Sequence, residues 1–336
     1  MTEPDQRRLT LRTHPDTQRI VAQRAALFAA LRRQLTAAGM IEADVPVLLP
    51  FAGQEPHLRP PAVTLPGLPG PLWLQTSPEL ALKRLLCAGV SQVFSLGAAF
   101  RGGREELSVH HQPAFTMLEW YHPGEQLSEL ERDCLGLGEA AADALQVDAP
   151  PCGASLSIME ACDRWAGLDA TALFDGDLPR FAALAREAGL ERCREDDDTA
   201  TLLGRVLVER IEAGLAELQG WVFLSGFPAA LAALSRTDPN DPRVALRTEA
   251  YLGGVELANG YVELTDADEQ QRRWWAEAAE RGAEAPARDE QLLLDLRSAQ
   301  LQPTVGMALG VDRLAMTLLG AESLGDVLPL SLSLES

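Results

Sequence analysis

Residues 110–121, HHQPAFTMLEWY, read as a β-strand in which one side chain does not match its neighbours. Period-two alternation places Glu119 on the same face as Phe115, Met117 and Tyr121. An ionised carboxylate among apolar and aromatic side chains is costly unless a cation or hydrogen bonds compensate it. The partner of Glu119 is therefore an internal Arg or Lys, solvent, or a cationic ligand, and the strand alone leaves these possibilities open.

The composition is that of a soluble globular protein. The chain has 336 residues, of which 46% are hydrophobic and 23% charged, enough to bury a sizeable core. No apolar run approaches the roughly 20 residues of a membrane span, and the N-terminus lacks the apolar stretch of a signal peptide. Five scattered cysteines without a CxxC pair argue against a disulfide framework and a structural zinc site. These features predict a cytoplasmic protein.

The charge of the chain restricts its partners. The formal net charge is −20, so the chain lacks the basic surface that nucleic-acid backbones require. RNA or DNA is therefore disfavoured as the main partner, and a basic or neutral protein fits better.

The predicted elements follow one another without an internal repeat or a clear linker. Helical spacing predicts a helix over residues 17–40 that ends near Gly39, and Ser77-Pro78-Glu79 is typical of a helix start. Strands are predicted at residues 91–101, 112–121, 220–228 and 245–265, and mainly helical structure at 127–215 and 266–284. Residues 305–320 read as a glycine-spaced strand that turns into a helix at Asp312-Arg313.

Acids and arginines flank these strands. Glu249, Glu256 and Glu263 recur at every seventh position in a glycine-containing strand region. Strand acids are either half-exposed sheet positions or oxygen ligands for Mg²⁺, which prefers one or two carboxylates together with substrate phosphates. Arg101 and Arg313 each follow an apolar strand, and a guanidinium binds phosphate bidentately. The combination is typical of a nucleoside triphosphate site.

Three segments resemble, in order, the signature motifs of class II aminoacyl-tRNA synthetases, over roughly residues 15–335. Motif 1 resembles RAALFAALRRQLTAAGMIEADVPVL (24–48), motif 2 FRGGREELSVHHQPAFTMLEWY (100–121) and motif 3 GMALGVDRLAM (306–316). TSPELALKRLL, FTMLEWY and ELANGYVELTDADEQQRR resemble lysyl-tRNA synthetases, and resemble still more closely the short elongation factor P–(R)-β-lysine ligases. The resemblance implies an α+β fold, with an antiparallel β-sheet flanked by helices as the class II catalytic core, and a homodimer formed through motif 1.

The resemblance also implies a role for each matching residue. Arg101 matches the catalytic arginine on the α-phosphate of ATP, and Arg313 the one on the triphosphate. The other residues implied at the ATP site are Glu105, His111, Gln112, Phe115, Glu256, Leu257 and Gly310. Glu249 and Glu256 match the Mg²⁺ ligands. The residues implied in the lysine pocket are Ser77, Pro78, Glu79, Glu119, Tyr121, Asn259, Glu263 and Ala308, so Glu119 is expected to meet the ammonium of a lysine-like substrate.

Departures from the family pattern bear on the subfamily. Two glycines are inserted in the motif 2 loop, and Gln112 and Ala114 stand where Asn and Glu are usual. Too few residues precede motif 1 for the anticodon-binding OB-fold of lysyl-tRNA synthetases, which needs about a hundred. We therefore expect one catalytic domain over residues 1–336, no anticodon-binding domain and no tRNA substrate. Ala308 replaces the usual glycine of lysyl-tRNA synthetases, as in the β-lysine ligases.

These implications predict ATP- and Mg²⁺-dependent activation of lysine or (R)-β-lysine as an adenylate, followed by transfer to a lysine side chain of elongation factor P. Two alternatives remain open. One is a ligase that loads an amino acid on another carrier or RNA, and the other is a catalytically silent paralogue that binds an amino acid for regulation. Intact Arg101, Glu256 and Arg313 weigh against the silent paralogue.

Overall fold

The computed structural model describes residues 9–334, except residues 54, 56, 57, 104, 105, 283, 284 and 300. The described strands are β1 Leu9–Thr13, β2 Ile41–Glu42, β3 Leu48–Leu49, β4 Ala62–Val63, β5 Leu72–Leu74, β6 Val93–Phe100, β7 Ala114–Pro123, β8 Cys152–Ser157, β9 Trp221–Pro228, β10 Val244–Leu252, β11 Val255–Val262, β12 Thr304–Gly310 and β13 Leu330–Leu334. The described α-helices are α1 Thr17–Ala37, α2 Glu79–Cys87, α3 Leu127–Leu145, α4 Ile158–Ala161, α5 Thr171–Phe174, α6 Leu178–Glu187, α7 Thr199–Val206, α8 Glu212–Ala216, α9 Ala267–Arg281, α10 Glu290–Ala299 and α11 Val311–Leu318. Within this part of the chain, no helix combines the length and the apolar character that a membrane crossing needs.

An eight-stranded sheet forms the centre, in the order β2-β6-β7-β12-β11-β10-β9-β8. The outermost pairs, β2–β6 and β8–β9, are parallel, and the five pairs between them are antiparallel. Two smaller sheets pair β1 with β13 and place β5 between β3 and β4. The predicted α+β class, with an antiparallel sheet flanked by helices, is confirmed.

Helices α1 and α3 cover one face of the central sheet. The apolar residues of α3 recur at three- and four-residue spacing, and its first turn is closed by a reciprocal capping box between Gln126 and Glu129. Leu118 and Trp120 of β7 are fully buried in the core that these helices share with the sheet. The predicted alternation of β7 is therefore correct, and its other face, which carries Glu119, is left for a different environment.

A second core lies beyond β9 and contains the helices α4–α8. The apolar run Trp221-Val222-Phe223-Leu224 serves both cores, because Trp221 and Phe223 face the first and Val222 and Leu224 the second. Sequence analysis predicted mainly helical structure over residues 127–215 and so missed β8. This edge strand, CGASLS, is short and has no β-branched or aromatic residue, and strand propensity is weakest in such segments.

A buried ion pair joins the first helix to the last. Arg24 of α1 lies 2.7 Å from Asp312 at the start of α11. The second carboxylate oxygen of Asp312 accepts a hydrogen bond of 2.7 Å from the backbone N–H of Thr116 on β7. These contacts hold β7 and α11 in register beside Arg313.

Candidate active site

A cavity of about 560 Å³ lies on the uncovered face of the central sheet. Of the predicted site residues, those that line it are Ser77, Glu79, Arg101, His111, Gln112, Phe115, Glu119, Tyr121, Glu256, Leu257, Asn259, Ala308, Gly310 and Arg313. Pro78 caps the start of α2, Glu249 and Glu263 are buried residues of the same sheet region, and Glu105 lies outside the described residues.

Strand register explains why there is space for a ligand here. Ala308 of β12 lies between Glu119 of β7 and Asn259 of β11, and Gly306 lies between Tyr121 and Tyr261. A Cβ atom at Gly306 would lie 2.2 Å from the Tyr121 ring and 2.6 Å from Glu263 Oε1. Small residues on β12 therefore form the floor, and long polar residues of the neighbouring strands form the walls.

One end of the cavity carries two arginines. Arg313 donates hydrogen bonds to the backbone oxygen of Glu256 at 3.0 Å and of His110 at 3.2 Å, and its Nη2 lies 2.6 Å from His111 Nε2. Burial and the charges of Arg313 and Arg101 lower the pKa of His111 to about 4. The neutral ring accepts from Arg313, since a guanidinium has no acceptor atom, and its Nδ1 lies 2.9 Å from the Ser108 hydroxyl.

The second arginine of this end is Arg101. Its guanidinium carbon lies 5.2 Å from the centre of the Phe115 ring. Its Nε is buried and has no hydrogen-bond partner within the described part of the chain. An unpaired buried donor is costly, so this end of the cavity is suited to an anionic group.

The opposite end carries carboxylates, and Glu119 is the most deeply placed residue on its strand face. Glu119 is 2% exposed and accepts a 2.5 Å hydrogen bond from the Tyr121 hydroxyl and another from the Ser77 hydroxyl. Burial and the charge of Glu79 raise the pKa of Glu119 to about 7, against the effect of these two hydrogen bonds. Its recorded partners are hydroxyl groups, so the cationic partner expected from the sequence is not supplied by the described side chains that bond it.

A buried lysine, Lys83 of α2, lies at the same end. Its ammonium contacts Glu79 and Glu263, each at 2.6 Å. Burial alone would lower the pKa of Lys83, but the charges of Glu263 and Glu79 outweigh it and raise this pKa. Two of the three acids predicted to face the substrate therefore share an internal cation.

Glu263 keeps one oxygen without a partner. It is 1% exposed, and burial raises its pKa to about 8 although Lys83 opposes this effect. Its Oε1 has no hydrogen-bond partner within residues 9–334 as described. An unpaired buried acceptor here and an unpaired buried donor at Arg101 match a ligand that is cationic at one end and anionic at the other.

The predicted Mg²⁺ ligands occupy different environments. Glu249 is 4% exposed and accepts hydrogen bonds from Arg247 and, at 2.6 Å, from the Tyr251 hydroxyl. The Glu256 carboxylate is 41% exposed and lies 4.0 Å from Arg313. Burial raises the pKa of Glu249, and the charge of Glu256 raises it further although Arg247 opposes this, so the two carboxylates interact. An all-oxygen donor pair beside phosphate-binding arginines fits Mg²⁺.

Further ligands for such a cation would have to come from water or phosphate. Among the described residues, no group of three or more His, Cys, Asp or Glu side chains is arranged to hold a metal ion. This agrees with the preference of Mg²⁺ for few protein ligands.

Sequence reasoning missed several residues of the site. Lys83 could have been found as the i, i+4 partner of Glu79 on α2, but its contact with Glu263 depends on tertiary structure. The three tyrosines of the chain, Tyr121, Tyr251 and Tyr261, all form hydrogen bonds with site residues, namely Glu119, Glu249 and Asn259. Tyr251, Tyr261 and Arg247 carried no motif signal.

Comparison with known proteins agrees with this geometry. A family model described as tRNA synthetases class II (D, K and N) matches residues 1–332. Proteins named elongation factor P–(R)-β-lysine ligase from Salmonella paratyphi B, Salmonella heidelberg and Salmonella typhimurium are each 37% identical over 313 residues, covering 91% of this chain and 93% of theirs. The chain therefore belongs to the class II tRNA synthetase family (D, K and N) and is a relative of the elongation factor P–(R)-β-lysine ligases.

Proposed function

We propose that this protein activates lysine or (R)-β-lysine with ATP and transfers it to a lysine side chain of elongation factor P. The polarity of the cavity carries the proposal, with Arg101 and Arg313 at one end and Glu79, Glu119 and Glu263 at the other. An amino acid with a terminal ammonium can place its cation among the acids and its carboxylate toward the arginines. The names of the relatives supply the acceptor.

In the first step the carboxylate of the amino acid attacks the α-phosphorus of ATP in line, and pyrophosphate leaves. Arg101 neutralises charge on the α-phosphate, and Arg313, supported by His111, holds the departing pyrophosphate. Glu249 and Glu256 would hold Mg²⁺, which supplies further charge neutralisation when bound. No protein nucleophile is needed, because positioning and electrostatics provide the catalysis.

In the second step the ε-amine of the acceptor lysine attacks the carbonyl carbon of the adenylate. An amide bond forms, and AMP leaves with the former carboxylate oxygen. Because the chain is strongly acidic, we expect it to bind a basic surface of its protein partner, and this association should weaken as salt rises.

The decisive experiment is amino-acid-dependent ATP–pyrophosphate exchange, with α-lysine and (R)-β-lysine compared side by side. Exchange with either isomer supports activation, and a mass increase of elongation factor P in the complete reaction supports the acceptor. Exchange without modification of elongation factor P would favour another carrier, while absence of exchange in a protein that binds lysine would favour a catalytically silent paralogue.

We also propose a homodimer built on the motif 1 helix and the strand segment after it. Val21, Ile41 and Val47 in this region are 50%, 62% and 41% exposed, and such apolar side chains are candidates for a partner surface. Light scattering at micromolar concentration should give twice the chain mass, and the mass of a single chain would contradict the proposal.

A further inference from the structure

Arg247 of β10 is held by an unusually complete set of contacts. Its Nε donates to Asn259 Oδ1 at 3.2 Å and its Nη1 to the backbone oxygen of Leu231 at 3.1 Å. Its Nη2 donates to Glu249, and its guanidinium carbon lies 4.4 Å from the centre of the Phe227 ring. A guanidinium has donors only, so the atom of Asn259 that faces it must be the amide oxygen.

This orientation fixes the direction of the next hydrogen bond. With Oδ1 turned to Arg247, the Nδ2 of Asn259 donates to the Tyr261 hydroxyl at 2.9 Å. The hydroxyl oxygen is then the acceptor, and its own proton is left for another group. No further hydrogen bond of Tyr261 is recorded within the described residues, and Tyr261 lines the cavity.

Tyr261 therefore presents a donor to the cavity. Burial raises the pKa of Tyr261, and the charges of Glu79 and Glu55 add to this although Arg247 opposes it, so the hydroxyl stays protonated. A donor of this kind needs an acceptor from the ligand. The Glu79 carboxylate already contacts Lys83, whereas an amino acid held through its ammonium still has to place a carboxylate.

We propose that the Tyr261 hydroxyl, oriented by Arg247 through Asn259, binds the carboxylate of the amino-acid substrate. The inference rests on the proposed function, since it names a residue that recognises the substrate of that reaction. Tyr121, opposite Tyr261 across Gly306, has the complementary task, because its hydroxyl donates to Glu119 at the ammonium end.

The test compares lysine with 1,5-diaminopentane, which keeps both amines of the chain ends but lacks the carboxylate. Binding of each ligand is measured by calorimetry for the wild type, Tyr261→Phe and Tyr121→Phe. A hydrogen bond to a charged group corresponds to about a 10- to 100-fold change in affinity. Tyr261→Phe should weaken lysine by that factor and change diaminopentane by less than about threefold. Tyr121→Phe, the same chemical change at the other end, should weaken both ligands alike.

Each outcome decides something. If Tyr261→Phe weakens both ligands equally, or neither, the hydroxyl does not bind the carboxylate and the inference is wrong, while lysine binding by the wild type leaves the proposed function standing. If the wild type binds neither ligand nor (R)-β-lysine, the proposed function fails and this inference fails with it. Thermal unfolding of both variants shows whether a lost affinity reflects a lost fold.

Discussion

Replacing Glu119 by Gln should weaken lysine binding and at the same time stabilise the ligand-free protein. The side chain is 2% exposed, and its hydrogen bonds come from two hydroxyl groups. A change of its pKa from an ordinary 4.5 to about 7 means that the buried charge costs ~3 kcal/mol of folding free energy above pH 7. Gln keeps the shape and removes this cost.

The pH dependence of this effect has a definite sign. A carboxyl group whose pKa is raised in the folded state holds its proton more tightly there, so the folded protein loses stability as pH rises from about 4.5 to about 7. Glu119→Gln should therefore unfold at higher denaturant concentration than the wild type at pH 8, by ~3 kcal/mol, and match it near pH 4.5 or below. Glu187→Gln, on an exposed position of α6, is the matched control and should change stability by less than about 0.5 kcal/mol at either pH.

Substrate use should change in the opposite direction. If the substrate ammonium pairs with Glu119, loss of the charged hydrogen bond raises the lysine KM in pyrophosphate exchange about 10- to 100-fold, with the KM for ATP nearly unchanged. A Glu119→Gln protein that is less stable at pH 8, or that keeps the wild-type lysine KM and kcat, would refute the reasoning. Glu119 would then be matched by a cation or by water rather than by the substrate.

Four further predictions follow from single contacts. Gly306→Ala should lower stability by ~1–3 kcal/mol and abolish lysine binding, because its Cβ would lie 2.2 Å from the Tyr121 ring; thermal unfolding and calorimetry check both effects. Arg313→Ala should raise the KM for ATP about 10- to 100-fold and spare lysine binding, and an unchanged KM would contradict its role. Asp312→Asn breaks a buried ion pair of 2.7 Å and should cost ~3–5 kcal/mol in chemical unfolding. Lysine binding should release protons and tighten between pH 6 and 8, since Glu119 and the acid beside it have pKa values of about 7 and 8; calorimetry in buffers of different ionisation enthalpy would detect no proton release if the acids are already ionised.

The elements with a one-sided burial pattern could be predicted from sequence. Leu118 and Trp120 are fully buried, so the period of β7 is visible in the sequence, as are α1 and the strand-to-helix turn at Gly310. β8 was missed because an exposed edge strand has no such pattern. α10 and the pairing of β1 with β13 were also missed, since pairing between the two ends of a chain leaves no local signal.

The site was predictable only where a motif covered it. The family motifs give Arg101, Arg313 and Glu119, but they do not say which acids share an internal cation. Lys83 and Glu263 are 2.6 Å apart although they belong to distant parts of the sequence. The chain from Arg247 through Asn259 to Tyr261 likewise depends on the register of β10 and β11, which alternation alone does not fix.

The charges of the pocket describe the kind of substrate but not its isomer. Glu79, Glu119 and Glu263 face a single internal cation, Lys83, which leaves two negative charges when all three acids are ionised. An amino acid with two ammonium groups balances both, and this is true of α-lysine and β-lysine alike. Discrimination between the isomers must therefore come from shape, at the floor of the pocket where Ala308 lies between Glu119 and Asn259. There, one methyl group shifts selectivity by ~1–3 kcal/mol.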